Sequence, residues 1–393
     1  MGDEVVRIVH VSDLHISEHL FDEPDKDLKL PHRYGHNVTA FLALDTALRK
    51  LEWDALVLSG DVSRIGFRNS FFLVRNWIEN TLFYGGRQLG LETRASGKPY
   101  VIVPGNHDRF NEQLRQDTLD NYFMEFPRFQ SGDVVQHQLK GRMFNFHLFD
   151  STSGDGGFAL GKLEQREMVP KVLKDDEIDI AVLHHHVVQP PRHAREPDTE
   201  IINSKEVLAY FLSCGFDAIL FGHTHNFYGE IFPAGLVSAK MKDRRGKRSI
   251  FRRFVPKFLV RRWAPNDWAV SYPRERTADG RYPSFSSYLE YLYLRDVQGL
   301  ELKRVGEFAS VRTFYRYVAQ QGSPLRAQLD SLKRKRVAVS MAPSACQSEE
   351  PENGFMLLEF HFSGTALQKI GFEVHAFDGN LFGRRSRRMF HMA

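Results

Sequence analysis

Six short apolar runs divide the first 225 residues, and a short polar cluster follows each. Val5–Val11 is β-branched and predicts a buried strand ending at Ser12-Asp13. Ala55–Leu58, Tyr100–Val103, Met143–Phe149, Ile178–Leu183 and Ala218–Phe221 predict five more strands. Between the first two, Phe41, Leu44, Ala47, Leu48 and Leu51 recur at helical spacing and predict a helix over Val38–Leu51. Phe67–Phe83 reads as helical too, and Ser17–Asn37 is a polar loop. Far along the chain, Gly354–Phe362 and Ile370–Phe377 predict two paired strands separated by Ser363-Gly364. Strands alternating with helices argue for α/β layers, in which binding groups collect beyond the carboxyl ends of the strands.

The residues at those ends are not random. Asp13-Leu14-His15, Gly60-Asp61, Gly105-Asn106-His107-Asp108, His184-His185-His186 and Gly222-His223-Thr224-His225 each follow a predicted strand. Alone, each would read as a turn, since Gly-Asp and Gly-Asn pairs are common turn formers. As an ordered set they offer carboxylate, imidazole and amide oxygen, the ligands of divalent metals, with no cysteine among them. Asp61 is the natural bridge between two ions, because a carboxylate has several lone pairs. Asp13 and His15 share one face if the strand stays extended. His223 and His225 have the same spacing, and a turn after Gly222 could aim them at different ions. Asn106 binds without adding charge, and His184 completes the second ion. Two cations about 3.5–4 Å apart would acidify a bridging water and supply a hydroxide nucleophile. His107, beside a ligand but not needed as one, suits a general acid; the plainer alternative is a histidine that only positions Asn106. Asp108 could orient His107 or the neighbouring backbone.

The motifs DLH, GD, GNHD, a histidine pair after a strand and GHTH resemble the calcineurin-like metallophosphoesterase superfamily, over Val5–Asn226 and in order. The resemblance implies a four-layer α-β-β-α sandwich and a dinuclear site of manganese, iron, zinc or similar ions. By motif position it places Asp13, His15, Asp61 and His225 on one metal, and Asp61, Asn106, His184 and His223 on the other. His107 takes the leaving-group role. A proline often stands two residues after the ligand histidine in this family, where this chain has His186; His184 is preferred over His185 because it directly follows the strand. GNHD and the closing strands are most similar to class III cyclic-nucleotide and related phosphodiesterases, which implies a diester more than a monoester.

Composition is that of an ordinary soluble protein, 42% hydrophobic and 26% charged in 393 residues. Two cysteines, Cys214 in a helix end and Cys346 in a polar loop, make no disulfide scaffold. The N-terminus lacks a signal-peptide pattern and no apolar run is long enough to span a membrane, so a cytoplasmic protein is expected. Charge, however, is unevenly distributed. Met241–Arg336 carries 23 Lys+Arg against 9 Asp+Glu, while the rest carries 30 against 40. The expected organisation is a catalytic core over 1–240, a basic insertion over 241–336, and C-terminal strands over 337–393 that complete the core. Within the insertion, Lys242–Trp263 mixes basic pairs with Phe251, Phe254, Phe258 and Trp263. That pattern suits a nucleic-acid backbone, an anionic membrane surface to which the protein would be peripheral, a partner surface, or simply a solvated face. A nuclease and a docking protein are therefore the alternatives to a metallophosphoesterase acting on a small ester. Arg384–Arg388, four arginines in five positions, reads as a flexible charged tail.

Overall fold

The computed structural model describes residues 4–17, 37–111, 116–152, 161–169, 171, 173–174, 176–188, 201–225, 227–233, 336–346 and 353–392. The polar loop after Ser17 and residues 241–335 of the expected insertion lie outside them.

Two six-stranded sheets form the body of the protein. The first is assembled from β1 (Glu4–Val11), β2 (Ala55–Ser59) and β3 (Tyr100–Val103), with three strands from the end of the chain. The second contains β4 (Val134–Leu139), β5 (Arg142–Leu148), β6 (Ile178–Val182), β7 (Ala218–Phe221), β8 (Tyr228–Pro233) and β9 (Arg336–Met341). The strands β10 (Gly354–Ser363), β11 (Ala366–Phe377) and β12 (Phe382–His391) return to the first sheet, whose order is β12-β11-β10-β1-β2-β3. The second runs β8-β9-β7-β6-β5-β4. β1, β2 and β3 are parallel, as are β5, β6, β7 and β9. Their carboxyl ends therefore gather on one edge, as the pattern of apolar runs ending in polar clusters requires.

The two sheets pack face to face through large apolar side chains. Phe144 of β5 meets Phe360 and Phe362 of β10 edge-on, with ring centroids 5.5 and 6.3 Å apart. The helices α1 (Val38–Lys50), α2 (Arg68–Ile78) and α3 (Leu119–Glu125) belong with the first sheet. Asn37 caps α1 by accepting the Ala40 N–H. Trp77 of α2 packs on Phe41 of α1 and donates to Asp45, and Tyr122 of α3 donates to the carbonyl of Ile102 on β3. On the second sheet, α4 (Ser204–Cys214) sets Phe211 against Phe149, and Gly215 ends it in the left-handed conformation.

Three sequence expectations change. The Phe67–Phe83 helix stops at Ile78, and Leu82–Tyr84 pairs with Arg87–Leu89 in a hairpin turned by Gly85-Gly86. Cys346 is fully buried instead of lying in a polar loop, because the chain after β9 passes beneath the first ligand turn: Ala345 N donates to the carbonyl of Ser12 at 3.1 Å. Arg384–Arg388 is not a loose tail but part of β12, the antiparallel partner of β11. Two of its arginines are held by carboxylates of the same sheet, with Arg387 Nε 3.0 Å from Glu359 Oε2 and Arg384 Nη1 3.5 Å from Glu373 Oε2.

Candidate metal centre

β1 ends at Val11, two residues before the first candidate ligand. Asp13 (φ 53°) and His15 (φ 48°) are both in the left-handed region, so they do not share a strand face as an extended chain would. Asp61 (φ 50°), His223 (φ 74°) and His225 (φ 51°) adopt the same conformation. Each such residue costs about 1–3 kcal/mol and persists only when its surroundings fix it. Here the turns are laced together: Asp13 N donates to Gly60 O at 3.0 Å and His15 N to Asp61 O at 2.9 Å. His223 N donates across the sheets to Asp13 Oδ2 at 3.0 Å. Glycine permits these close approaches. A Cβ on Gly222 would lie 1.8 Å from Ser12 Oγ, and one on Gly105 would lie 2.1 Å from Asp61 Oδ1.

The left-handed turns aim the side chains into two adjoining clusters. In the first, Asp13 Oδ1 lies 3.2 Å from His225 Nε2 and 3.8 Å from His15 Nε2. In the second, His184 Nε2 lies 3.0 Å from Asn106 Oδ1, 3.1 Å from His223 Nδ1 and 3.2 Å from Asp61 Oδ2. The same Asp61 oxygen is 4.0 Å from His15 Nε2, so one carboxylate faces both clusters. All seven candidate ligands named from the sequence are thus brought together.

The donor set fits divalent cations. Asp13, His15, Asp61, Asn106 and His184 are buried, and Asp13 Oδ1, His15 Nε2 and His223 Nε2 make no hydrogen bond. Buried polar atoms left without such partners are costly unless something else satisfies them. Burial, then the neighbouring His107, pushes the His15 pKa down to about 3, which keeps its nitrogen lone pair available. Burial also opposes a charge on His184, but Asp61 and Asp13 outweigh it and raise the pKa to about 9. His184 Nδ1 donates to the carbonyl of Ser59 at 2.8 Å, which turns Nε2 toward the cluster.

His107 stands beside both clusters. Its backbone N donates to Asp61 Oδ1 at 2.8 Å, its Nδ1 donates to Arg64 O at 2.8 Å, and its ring meets His15 edge-on at 4.6 Å. With Nδ1 engaged by the backbone, Nε2 is the atom that can carry a transferable proton. Asp108 meets the backbone instead of that ring: it accepts from Val62 N at 3.2 Å, Ser63 N at 2.7 Å and Gly105 N at 2.9 Å. It therefore clamps the Asp61 turn to the Asn106 turn. Burial and the nearby Asp61 push its pKa up to about 8, against the pull of the Gly105 and Ser63 donors.

His185 packs its ring 4.4 Å from that of His223, with its Nδ1 3.0 Å from Ser151 Oγ, which also accepts from the backbone N–H groups of His184 and His185. Of the two, it is His184 whose Nε2 meets Asn106, His223 and Asp61. Sequence reasoning missed the serines that hold these turns. Ser12 Oγ donates to Ser59 O, Ser344 Oγ donates to Asp13 O, and Ser151 supports the histidine run. The available signal was their position, since Ser12 and Ser59 immediately precede the first two ligand motifs.

Residues 6–227 match the calcineurin-like phosphoesterase family. Among solved structures, calcineurin-like phosphoesterase YfkN from Bacillus subtilis is similar at 10% identity and a TM-score of 0.33, covering 100% of this chain and 91% of that one. No curated protein matches the chain.

Proposed function

From the premise that the chain belongs to the calcineurin-like phosphoesterase family, and is therefore a metal-dependent phosphoric ester hydrolase, we propose that it cleaves a phosphodiester at a two-cation site. Asp13, His15, Asp61 and His225 would hold one ion; Asp61, Asn106, His184 and His223 would hold the other. The observation that carries this reading is Asp61 Oδ2, within 3.2 Å of His184 Nε2 and 4.0 Å of His15 Nε2, the shared oxygen of two otherwise separate ligand sets. When bound, such a pair supplies Lewis acidity and brings the pKa of water toward neutrality.

The chain's own groups do the rest. With only Asp13 and Asp61 charged among the ligands, the loaded cradle keeps a net positive charge that attracts the phosphoryl oxygens. Asn106 contributes to this by binding as a neutral ligand. His107, with Nδ1 fixed on Arg64 O, would deliver a proton from Nε2 to the leaving alkoxide, a need more acute for an alkyl diester than for an activated ester. Asp108 keeps the bridging and amide ligands in one geometry through its three backbone contacts.

Manganese, iron and zinc are all compatible with this donor set. The test is to strip the protein with chelator and titrate each metal back while assaying an aryl diester and the matching monoester. Activity should rise to a plateau at two equivalents, with the diester preferred, and Asp61→Ala should lose both binding and turnover. A plateau at one equivalent, or a fully active Asp61→Ala, would sink the two-cation reading.

Residues 241–336 are proposed as an insertion in this core. Supporting this, Pro233 and Arg336 are register partners in the β8–β9 pair, which makes Arg336 itself the first residue of the returning strand. The nucleic-acid and membrane alternatives fall on residues outside the described ones and gain no support from the site.

A further inference from the structure

Each cluster draws its ligands from both sheets. Asp13, His15, Asp61 and Asn106 follow strands of the first sheet; His184, His223 and His225 follow strands of the second. A slip of one sheet over the other would therefore open both clusters together. What sets the registry of the sheets next to the site is then a functional question.

β1 supplies an unusual feature at that point. Val6, Ile8, Val9 and Val11 are completely buried, and so is His10. A neutral imidazole presents one donor and one acceptor, and burying it without partners would be costly. His10 has both. Its Nε2 is 2.9 Å from Ser59 Oγ on the adjacent β2, and its Nδ1 is 3.2 Å from Ser340 Oγ on β9 of the opposite sheet. The ring is thus a polar tie across the interface between the sheets.

Ser59 touches the ligand turns directly, and Ser340 leads into a segment that does. The Ser59 carbonyl accepts His184 Nδ1 at 2.8 Å and Ser12 Oγ at 3.2 Å, and the residue itself leads into Gly60-Asp61. After Ser340 comes Met341, whose sulfur accepts the hydroxyl of Thr224, the residue between His223 and His225. Three residues further, the same segment reaches the first candidate-ligand turn, where Ser344 Oγ donates to Asp13 O at 2.8 Å. The short stretch from Ser340 to Ser344 therefore braces turns from both sheets, and His10 is where it is pinned to β1 and β2.

We infer that His10, with Ser59 and Ser340, forms a positioning element that fixes the registry of the two sheets and so the spacing of the metal ligands. The inference rests on the ligand assignment proposed above. His10 touches neither ligand cluster directly; it acts through the Ser59 carbonyl that sets the His184 ring and through the strand that supports the GHTH turn.

The test reads metal affinity instead of turnover. In a His10→Phe, Ser59→Ala, Ser340→Ala triple variant the tie is replaced by apolar atoms and no hydroxyl is orphaned, so the metal-free chain should melt close to wild type. Its affinity for manganese or zinc, measured by chelator competition, should fall by about 10–100-fold, as for other supports of metal ligands. His10→Gln, which again offers a donor and an acceptor, should recover much of that loss. A folded triple variant with wild-type affinity overturns the inference. Should the triple variant fail to fold, Ser340→Ala alone decides: a clear drop in affinity supports the tie, and wild-type affinity removes it. Asp61→Ala separates the two levels of the reading. If that variant keeps wild-type affinity, the ligand assignment itself is wrong; if it loses the metal while the His10 variants do not, only the tie is wrong.

Discussion

Gly105→Ala isolates the steric condition on which the centre depends. The added Cβ would lie 2.1 Å from Asp61 Oδ1, 2.3 Å from Asp61 N and 2.7 Å from Asp61 Cγ. Gly105 is not among the residues with positive φ, so alanine meets no backbone penalty and the whole effect is contact. Relief requires the two turns to separate by about 1 Å, and a displacement of that size costs about 100-fold in rate when it moves reacting groups. Asp61 cannot simply swing aside, because Oδ1 accepts from His107 N at 2.8 Å and its carbonyl accepts from His15 N at 2.9 Å. Moving it disturbs ligands of both clusters. The strain itself should cost about 1–3 kcal/mol, the usual range for an overpacked site. The measurement is kcat/KM on an aryl phosphodiester at saturating metal, with a melting curve of the same preparation. Gly383→Ala is the matched control, since nothing lies within 4 Å of its added Cβ. The expected result is an activity loss near two decades with the fold retained. A folded Gly105→Ala variant within about threefold of wild type would show that the placement of Asp61 does not limit the reaction.

His107→Ala should slow esters with poor leaving groups much more than activated nitrophenyl esters; a series of aryl leaving groups reads the slope, and equal losses would remove the acid role. Glu230 provides a pH test away from the metal centre. Burial raises its pKa from 4.5 to about 7, with Arg388 opposing only in part. A carboxyl whose folded pKa is raised stabilises the fold at low pH, and that contribution is lost as pH rises from about 4.5 through about 7. Glu230→Gln should therefore melt higher than wild type at pH 8, by an amount equivalent to roughly 3 kcal/mol, with the gain shrinking toward pH 5; a gain independent of pH would refute it. Replacing residues 234–335 by a two-residue turn should leave a folded, metal-binding chain that still turns over a small aryl diester, because Pro233 and Arg336 are already register partners. Loss of folding or of metal binding would show the segment to be integral to the core.

The sequence made the candidate ligands legible because each follows a strand with a local apolar run, as in Ala55–Leu58 and Ala218–Phe221, where every residue is buried. It could not show how Asp13 and His15 converge, since that depends on left-handed backbone at non-glycine residues, held by hydrogen bonds from a turn near residue 60. β12 was hidden for the opposite reason. Most of its side chains are exposed, so no hydrophobic alternation marks it; it is a strand because its backbone pairs with β11 and its arginines meet Glu359 and Glu373. The Ser340–Ser344 segment was the most deeply concealed. It lies after the basic stretch and carries no ligand, yet it contacts His10, Thr224 and Asp13. Motifs rich in metal-ligand residue types advertise themselves, whereas supports made of serine and backbone do not. A search confined to the motifs would therefore end at Asn226 and leave out the strand that holds the two sheets in register beneath them.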